Sequence, residues 1–101
     1  MGVGPESRSV MLEDKTPPAV PTGLDVTQSI LTWDANSETD LAGYYVFRSE
    51  RPDGGFKPVT DSLIPTNLFA DPSYRAGLYY QVSAVDEFKN ESARSAPFRA
   101  P

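Results

Sequence analysis

Leu78-Tyr79-Tyr80-Gln81-Val82-Ser83-Ala84-Val85 is the longest stretch of the chain that sorts by twos. Leu78, Tyr80, Val82 and Ala84 fall on one parity, and Tyr79, Gln81, Ser83 and Val85 on the other, as side chains of an extended strand do. Aromatic and β-branched residues recur through it, and no charge interrupts it, so it is expected at the centre of a sheet. Working outward, Tyr44-Tyr45-Val46-Phe47-Arg48 has the same character and predicts a second central strand. Leu24 and Val26 alternate as a first strand. Leu31 and Trp33 alternate as the next, with Ile30 and Thr32 on its other face. Pro52-Asp53-Gly54-Gly55 supplies turn residues before a returning segment over 56–59, and a short strand over 67–71 stops at Pro72, which cannot donate to a ladder. A last strand is expected over 93–98. Ten prolines and seven glycines punctuate these runs, and no window sustains a helical period through three turns. Seven short strands in one small domain predict an all-β, two-sheet antiparallel sandwich.

Composition sets the boundaries of function. The chain has 101 residues, 39% of them hydrophobic, which suffices for one core without disulfide or metal staples. It contains neither cysteine nor histidine, so thiol nucleophiles, thiolate metal sites and imidazole bases are all absent. A net charge of −5, with scattered basic residues, argues against nucleic acid as a partner. No apolar run is long enough to enter a bilayer as a helix, and Met1-Gly2-Val3-Gly4-Pro5 has none of the regions of a signal peptide.

Asp14-Lys15-Thr16-Pro17-Pro18-Ala19-Val20-Pro21 is an extended, proline-stiffened linker, because each proline fixes its own φ and biases its predecessor away from helix. The organisation expected is therefore a tail over 1–13, a linker over 14–21 and one domain over 22–101. The tail has a counterpart inside the domain: Gly4-Pro5-Glu6-Ser7-Arg8-Ser9-Val10 repeats the chemistry of Lys89-Asn90-Glu91-Ser92-Ala93-Arg94-Ser95. That similarity predicts a tandem array, with 1–13 the end of a preceding unit; an unrelated added tail is the other reading. Val10, Met11 and Leu12 would then form an orphaned strand that either pairs with an exposed sheet edge, on another copy for example, or stays mobile.

In order and spacing these segments resemble a fibronectin type III domain of the bacterial extracellular kind, from about Thr16 to Ala100. Thr16-Pro17-Pro18-Ala19-Val20-Pro21-Thr22-Gly23-Leu24 is similar to that family's linker and first strand, and Leu31-Thr32-Trp33 to its second strand with the core tryptophan. Asp40-Leu41-Ala42-Gly43-Tyr44-Tyr45-Val46-Phe47-Arg48-Ser49 resembles the third strand. Tyr80-Gln81-Val82-Ser83-Ala84-Val85-Asp86 followed by Asn90-Glu91-Ser92 resembles the sixth strand, its loop and the start of the seventh. The resemblance implies an immunoglobulin-like seven-strand antiparallel sandwich and places the third and sixth strands side by side. Two positions depart from the pattern. Leu78 stands where the family has a corner-tying tyrosine, so that Tyr74, Tyr79 or Tyr80 supplies an equivalent bond or packing alone holds the corner. Lys89 stands where a glycine usually precedes the asparagine.

Candidate chemistry is sparse. Asp34-Ala35-Asn36-Ser37-Glu38-Thr39-Asp40 alternates oxygen ligands as calcium loops do, but lacks the glycine and the terminal glutamate of an EF-hand. Its simpler role is a solvated loop in which Asp40 accepts backbone hydrogen bonds. Asp86-Glu87, or Glu38 with Asp40, are carboxylate pairs of the kind that cleave glycosides, here without any sign of a cleft. Ser83 and Ser92 have no histidine to activate them, and Lys57 and Lys89 lack the burial a lysine base requires. Asn90-Glu91-Ser92 is formally a glycosylation sequon, but it coincides with a structural motif of the family. No cofactor is expected.

Trp33, Tyr44, Phe69 and Tyr80 have inward parity, and each should contribute roughly 1.5–3 kcal/mol on burial. Tyr45, Phe47 and Tyr79 have outward parity, and Phe88 sits in a loop. Together these four form the candidate partner surface, a strip that could stack on sugar rings or dock a protein. The simpler alternative is sheet-stabilising aromatics half covered by Arg75 or Arg94. Alternation also turns Arg48 inward, which requires a carboxylate or carbonyls to receive it, or else a bulge near Phe47 that reverses the order. The function expected is a non-catalytic spacer or interaction module of a larger secreted or surface-anchored bacterial protein, at the cell surface, outside the cell or in the periplasm. Its partners would be neighbouring domains of the same chain, and protein or polysaccharide. The alternative is a carbohydrate-binding accessory module attached to a polysaccharide-degrading enzyme, and a third is protein adhesion through the loop over 87–90.

Overall fold

The computed structural model describes residues 16–101. The expected tail over 1–13, with its Val10-Met11-Leu12 pairing, and the first two residues of the linker lie outside the described residues. The rest is an all-β sandwich of two antiparallel sheets. β1 (Asp25–Thr27), β2 (Ile30–Thr32) and β5 (Leu68–Ala70) form the smaller sheet in the order β1-β2-β5. β3 (Leu41–Ser49), β4 (Lys57–Pro58), β6 (Tyr79–Asp86) and β7 (Phe98–Arg99) form the larger in the order β4-β3-β6-β7.

β3 and β6 are the spine. Their register sets Tyr44 opposite Ala84, Val46 opposite Val82 and Arg48 opposite Tyr80. The inward parity expected of both strands holds: Tyr44, Val46, Tyr80, Val82 and Ala84 are all buried, with Leu31, Trp33 and Leu78 beside them. The Trp33 and Tyr44 rings meet edge to face, with centroids 5.1 Å apart, a geometry that the ring quadrupoles favour. A register irregularity lies between Leu41 and Gly43, before the strand straightens, and not at Phe47. Beside it the segment after β4 crosses close to β3, with Ile64 and Tyr44 exchanging both backbone hydrogen bonds at 2.9 Å. A Cβ on Gly43 would stand 2.8 Å from the Ile64 carbonyl oxygen, which is why the strand carries a glycine there.

Arg48 does turn inward, and its receptor is Asp71. One guanidinium nitrogen lies 2.8 Å from each carboxylate oxygen. The same carboxylate accepts the Tyr80 hydroxyl at 2.5 Å and the Ser73 N–H at 2.9 Å. Asp71 directly follows β5, whereas Arg48 and Tyr80 belong to β3 and β6, so one buried carboxylate joins the two sheets. Burial pushes the Asp71 carboxyl up, but the hydrogen bonds from Tyr80 and Arg48 outweigh it and hold it below the usual carboxylate range. Burial and the adjacent carboxylate push the Tyr80 phenol up, so it remains a donor at any physiological pH. Among the tyrosines left open for the role of Leu78, Tyr80 thus makes the tie between the layers. Tyr74 instead donates to the Pro101 carbonyl at 2.6 Å, and Leu78 is core.

The seventh strand differs from expectation. Regular pairing with β6 is confined to Phe98–Arg99, whereas a strand over 93–98 is expected from the sequence. The reason lies in two serines. Ser92 donates its N–H to the Ala84 carbonyl and accepts the Ala84 N–H on its hydroxyl; Ser95 does the same with Val82. Side-chain oxygens replace backbone carbonyls, so the chain follows β6 with its donors satisfied but without a ladder.

The turn after β6 keeps its tight form despite Lys89, which adopts φ 68°. Asp86 organises it, accepting the N–H groups of Phe88 and Asn90 on one oxygen, each at 2.9 Å, and the Asn90 amide on the other at 3.0 Å. Burial of Asp86 is outweighed by the donors of Asn90 and Phe88, and its carboxyl is held below its ordinary range.

Left-handed backbone at a side-chain-bearing residue is strained by about 1 kcal/mol, so Lys89→Gly should raise stability in urea denaturation by about 0.5–1 kcal/mol and Lys89→Val should lower it. A loss of stability in Lys89→Gly contradicts this turn geometry. Because the folded pKa of Asp71 is depressed, the stability it contributes is complete above the ordinary carboxylate pKa and is lost as pH falls through the folded value. The stability gap between wild type and Asp71→Asn should therefore narrow on acidification; parallel curves from neutral pH to acid would refute the assignment.

Candidate functional site

The candidate strip is brought onto one side of the larger sheet but not into one open surface. Tyr45 lies opposite Ser83, Phe47 opposite Gln81, and Tyr79 opposite Ser49. Tyr45 and Tyr79 are half-buried, whereas Phe47 retains 6% of its surface. The Arg94 guanidinium carbon stands 3.9 Å from the Phe47 ring centroid, a cation–π contact that caps the middle of the strip. The expected cover of these aromatics is thus supplied by Arg94; Arg75 instead pairs with Glu50 at 2.8 Å. Neighbouring side chains complete the cover, since Ser83 donates to Glu91 at 2.6 Å and Gln81 donates its amide to the Ser95 carbonyl at 3.0 Å. Phe88 is apart from them, 47% exposed, in the loop beyond the end of β6.

The loop over 34–40 uses its oxygens on the protein. Glu38 accepts the Ala19 N–H at 2.9 Å, and Asn36 donates its amide to the Ala19 carbonyl at 2.8 Å. The Tyr44 hydroxyl in turn accepts the Asn36 N–H at 2.8 Å. The Ala19 hydrogen bond holds the Glu38 carboxyl below its ordinary range. Pro18 and Pro21 are buried, so this half of the linker is docked on the sandwich. Among the described residues, no three acidic side chains gather in a manner suited to a metal ion. Of the other carboxylate pair, Asp86 is occupied by its turn.

A groove that sequence reasoning missed opens at the opposite pole. About 640 Å³ in volume, it is lined by Arg48, Arg51, Lys57 and Arg75 and by one carboxylate, Glu50, with Val59 and Leu78 among its apolar walls. Four of the seven basic residues over 16–101 thus converge there, in a chain whose net charge is negative. They come from the end of β3, the turn after it, β4, and the segment between β5 and β6. Arg48 stands out in the linear sequence by its inward parity, but Arg51, Lys57 and Arg75 resemble ordinary surface charges there. Only the antiparallel return of the chain brings them together, so no local motif announces the groove.

A scan against family models matches none, and no curated protein is significantly similar. A solved structure is: the crystal structure of an Fn3-like protein from Clostridium thermocellum, 30% identical in sequence, superposes with a TM-score of 0.67 over 85% of this chain and 96% of that one. The parity of β3 and β6, the edge-to-face Trp33 and Tyr44 pair, and this agreement in sequence and topology converge on one assignment: the chain belongs to the Fn3-like family.

Proposed function

We propose that this domain is a non-catalytic spacer and interaction module of a larger secreted or surface-anchored bacterial protein. The observation that carries the reading is the disposition of the domain's two ends. At one pole Ala19 is clamped by Asn36 and Glu38. At the other, Ala100 donates to the Leu78 carbonyl at 2.7 Å, and the Pro101 carbonyl accepts the Tyr74 hydroxyl. The two ends of the domain are thus anchored at opposite poles, as a link that transmits position or tension requires. The docked Pro18 and Pro21 stiffen the entry, because proline has little backbone freedom left to lose.

The carbohydrate-binding reading draws on Tyr45 and Tyr79, which flank the capped Phe47 on one face. A sugar stacked across all three would have to displace Arg94. Silence of the wild-type domain across a glycan array, plant and bacterial polysaccharides included, is the expected result. Specific binding that is lost in Tyr79→Ala and strengthened in Arg94→Ala would overturn the spacer reading in favour of the glycan module.

A further inference from the structure

The two poles carry opposite charge. Around the entry pole stand Asp34, Glu38, Asp40, Asp86 and Glu87, with Lys89 the one base beside them among the described residues. At the exit pole Glu50 pairs with Arg75 and Asp71 with Arg48, which leaves Arg51, Lys57 and the nearby Arg99 of β7, opposite Tyr79, against Asp53. Shape follows the same division. At the acidic pole Phe88 projects from the turn after β6 with about half its surface in water, and Glu87 beside it is exposed. At the basic pole the groove sets Pro58, Val59 and Leu78 among its cations. Lys57 is exposed, and the Arg51 side chain is 68% exposed with its carboxylate neighbour Asp53 as far as 3.8 Å away, so both retain charge to offer.

We propose that the acidic pole of one copy docks head to tail into the basic groove of another, with Phe88 as the apolar anchor and Glu87 and Asp40 facing Arg51 and Lys57. The inference rests on the reading of the domain as one link in a series and specifies how successive links meet. Such a contact joins different patches of the two copies, so it does not close on itself but propagates along the axis. The groove volume is in the range that accepts an aromatic side chain with room for its neighbours. Charges at a partly wet rim are screened by salt, so the contact is salt-sensitive and weak between free copies. Within one polypeptide, linkage would raise the effective concentration to roughly the millimolar range and make a weak contact sufficient.

Sedimentation velocity on the full chain tests it at roughly millimolar protein, comparing salt near 20 mM with salt near 500 mM. Concentration-dependent association is expected at low salt and its loss at high salt. The double variant Arg51→Glu/Lys57→Glu reverses the charges that the groove offers, and Asp40→Lys/Glu87→Lys reverses those that the opposite pole brings to it; each alone should remain monomeric, while their equimolar mixture, which restores one oppositely charged pair of faces, should associate. Phe88→Ala should weaken wild-type association by roughly tenfold. The neutral pair Arg51→Gln/Lys57→Gln, checked for an unchanged thermal transition, guards against an effect of misfolding and should also abolish association. A wild type that stays monomeric at low salt, a mixture that fails to associate, or association indifferent to these charges overturns the proposal. So does a groove that binds an acidic oligosaccharide while the protein remains monomeric. The association outcomes leave the glycan-array test of the spacer reading untouched, and on the array glycan binding at the aromatic strip is told from binding at the groove by its loss in Tyr79→Ala rather than in Arg51→Gln/Lys57→Gln, so the two readings can fail separately.

Discussion

One carboxylate holds the two layers in register. Asp71 lies at the end of a three-residue strand in the smaller sheet and receives Arg48 and Tyr80 from the two long strands of the larger. Hydrophobic contact between sheets is non-directional, and on its own it would tolerate a slide along the strand axis. The Asp71 cluster removes that freedom, because its donors arrive from two strands and meet at one point. Its energetic logic also requires completeness. A buried charge is costly when unpaired, and here a guanidinium, a phenol and a backbone N–H share the load.

Much of this fold was legible because strand parity is a strict code. Tyr44, Val46, Tyr80, Val82 and Ala84 alternate in sequence and are buried in fact. The inward Arg48, an anomaly under that code, pointed to a partner that the sequence does not name, since the partner lies across the sandwich. The seventh strand was misplaced by its sequence because a serine hydroxyl can satisfy a strand's donor as well as a carbonyl can, and composition does not reveal which will do so at Ser92 and Ser95. The tight turn at Lys89 survives the absence of glycine because Asp86 gathers its N–H groups.

The candidate surface was less legible than the core for a related reason. Outward parity gives direction but not cover, and of the two long side chains that could cover the strip, Arg94, distant from Phe47 in sequence, is the one that closes over its ring. The basic groove has the converse history: its residues are scattered along the chain, and topology collects them. What a module of this kind offers a partner is therefore set by which long side chains fold back over the sheet and which are left at the poles. Rigidity between the poles, in turn, comes from β3 and β6 running the length of the domain and from the lock at their end.

The measurement that bears most directly on this account is a double-mutant cycle across the lock, with Arg48→Met, Asp71→Ala, Tyr80→Phe and the paired variants compared by equilibrium urea denaturation. Asp71→Ala should cost about 3–5 kcal/mol, as loss of one member of a buried pair does, and its cost should fall well below additivity when Arg48 is already methionine. Stability within about 0.5 kcal/mol of wild type in Asp71→Ala, or strict additivity in the Asp71 and Arg48 pair, would show that packing alone holds the sheets in register.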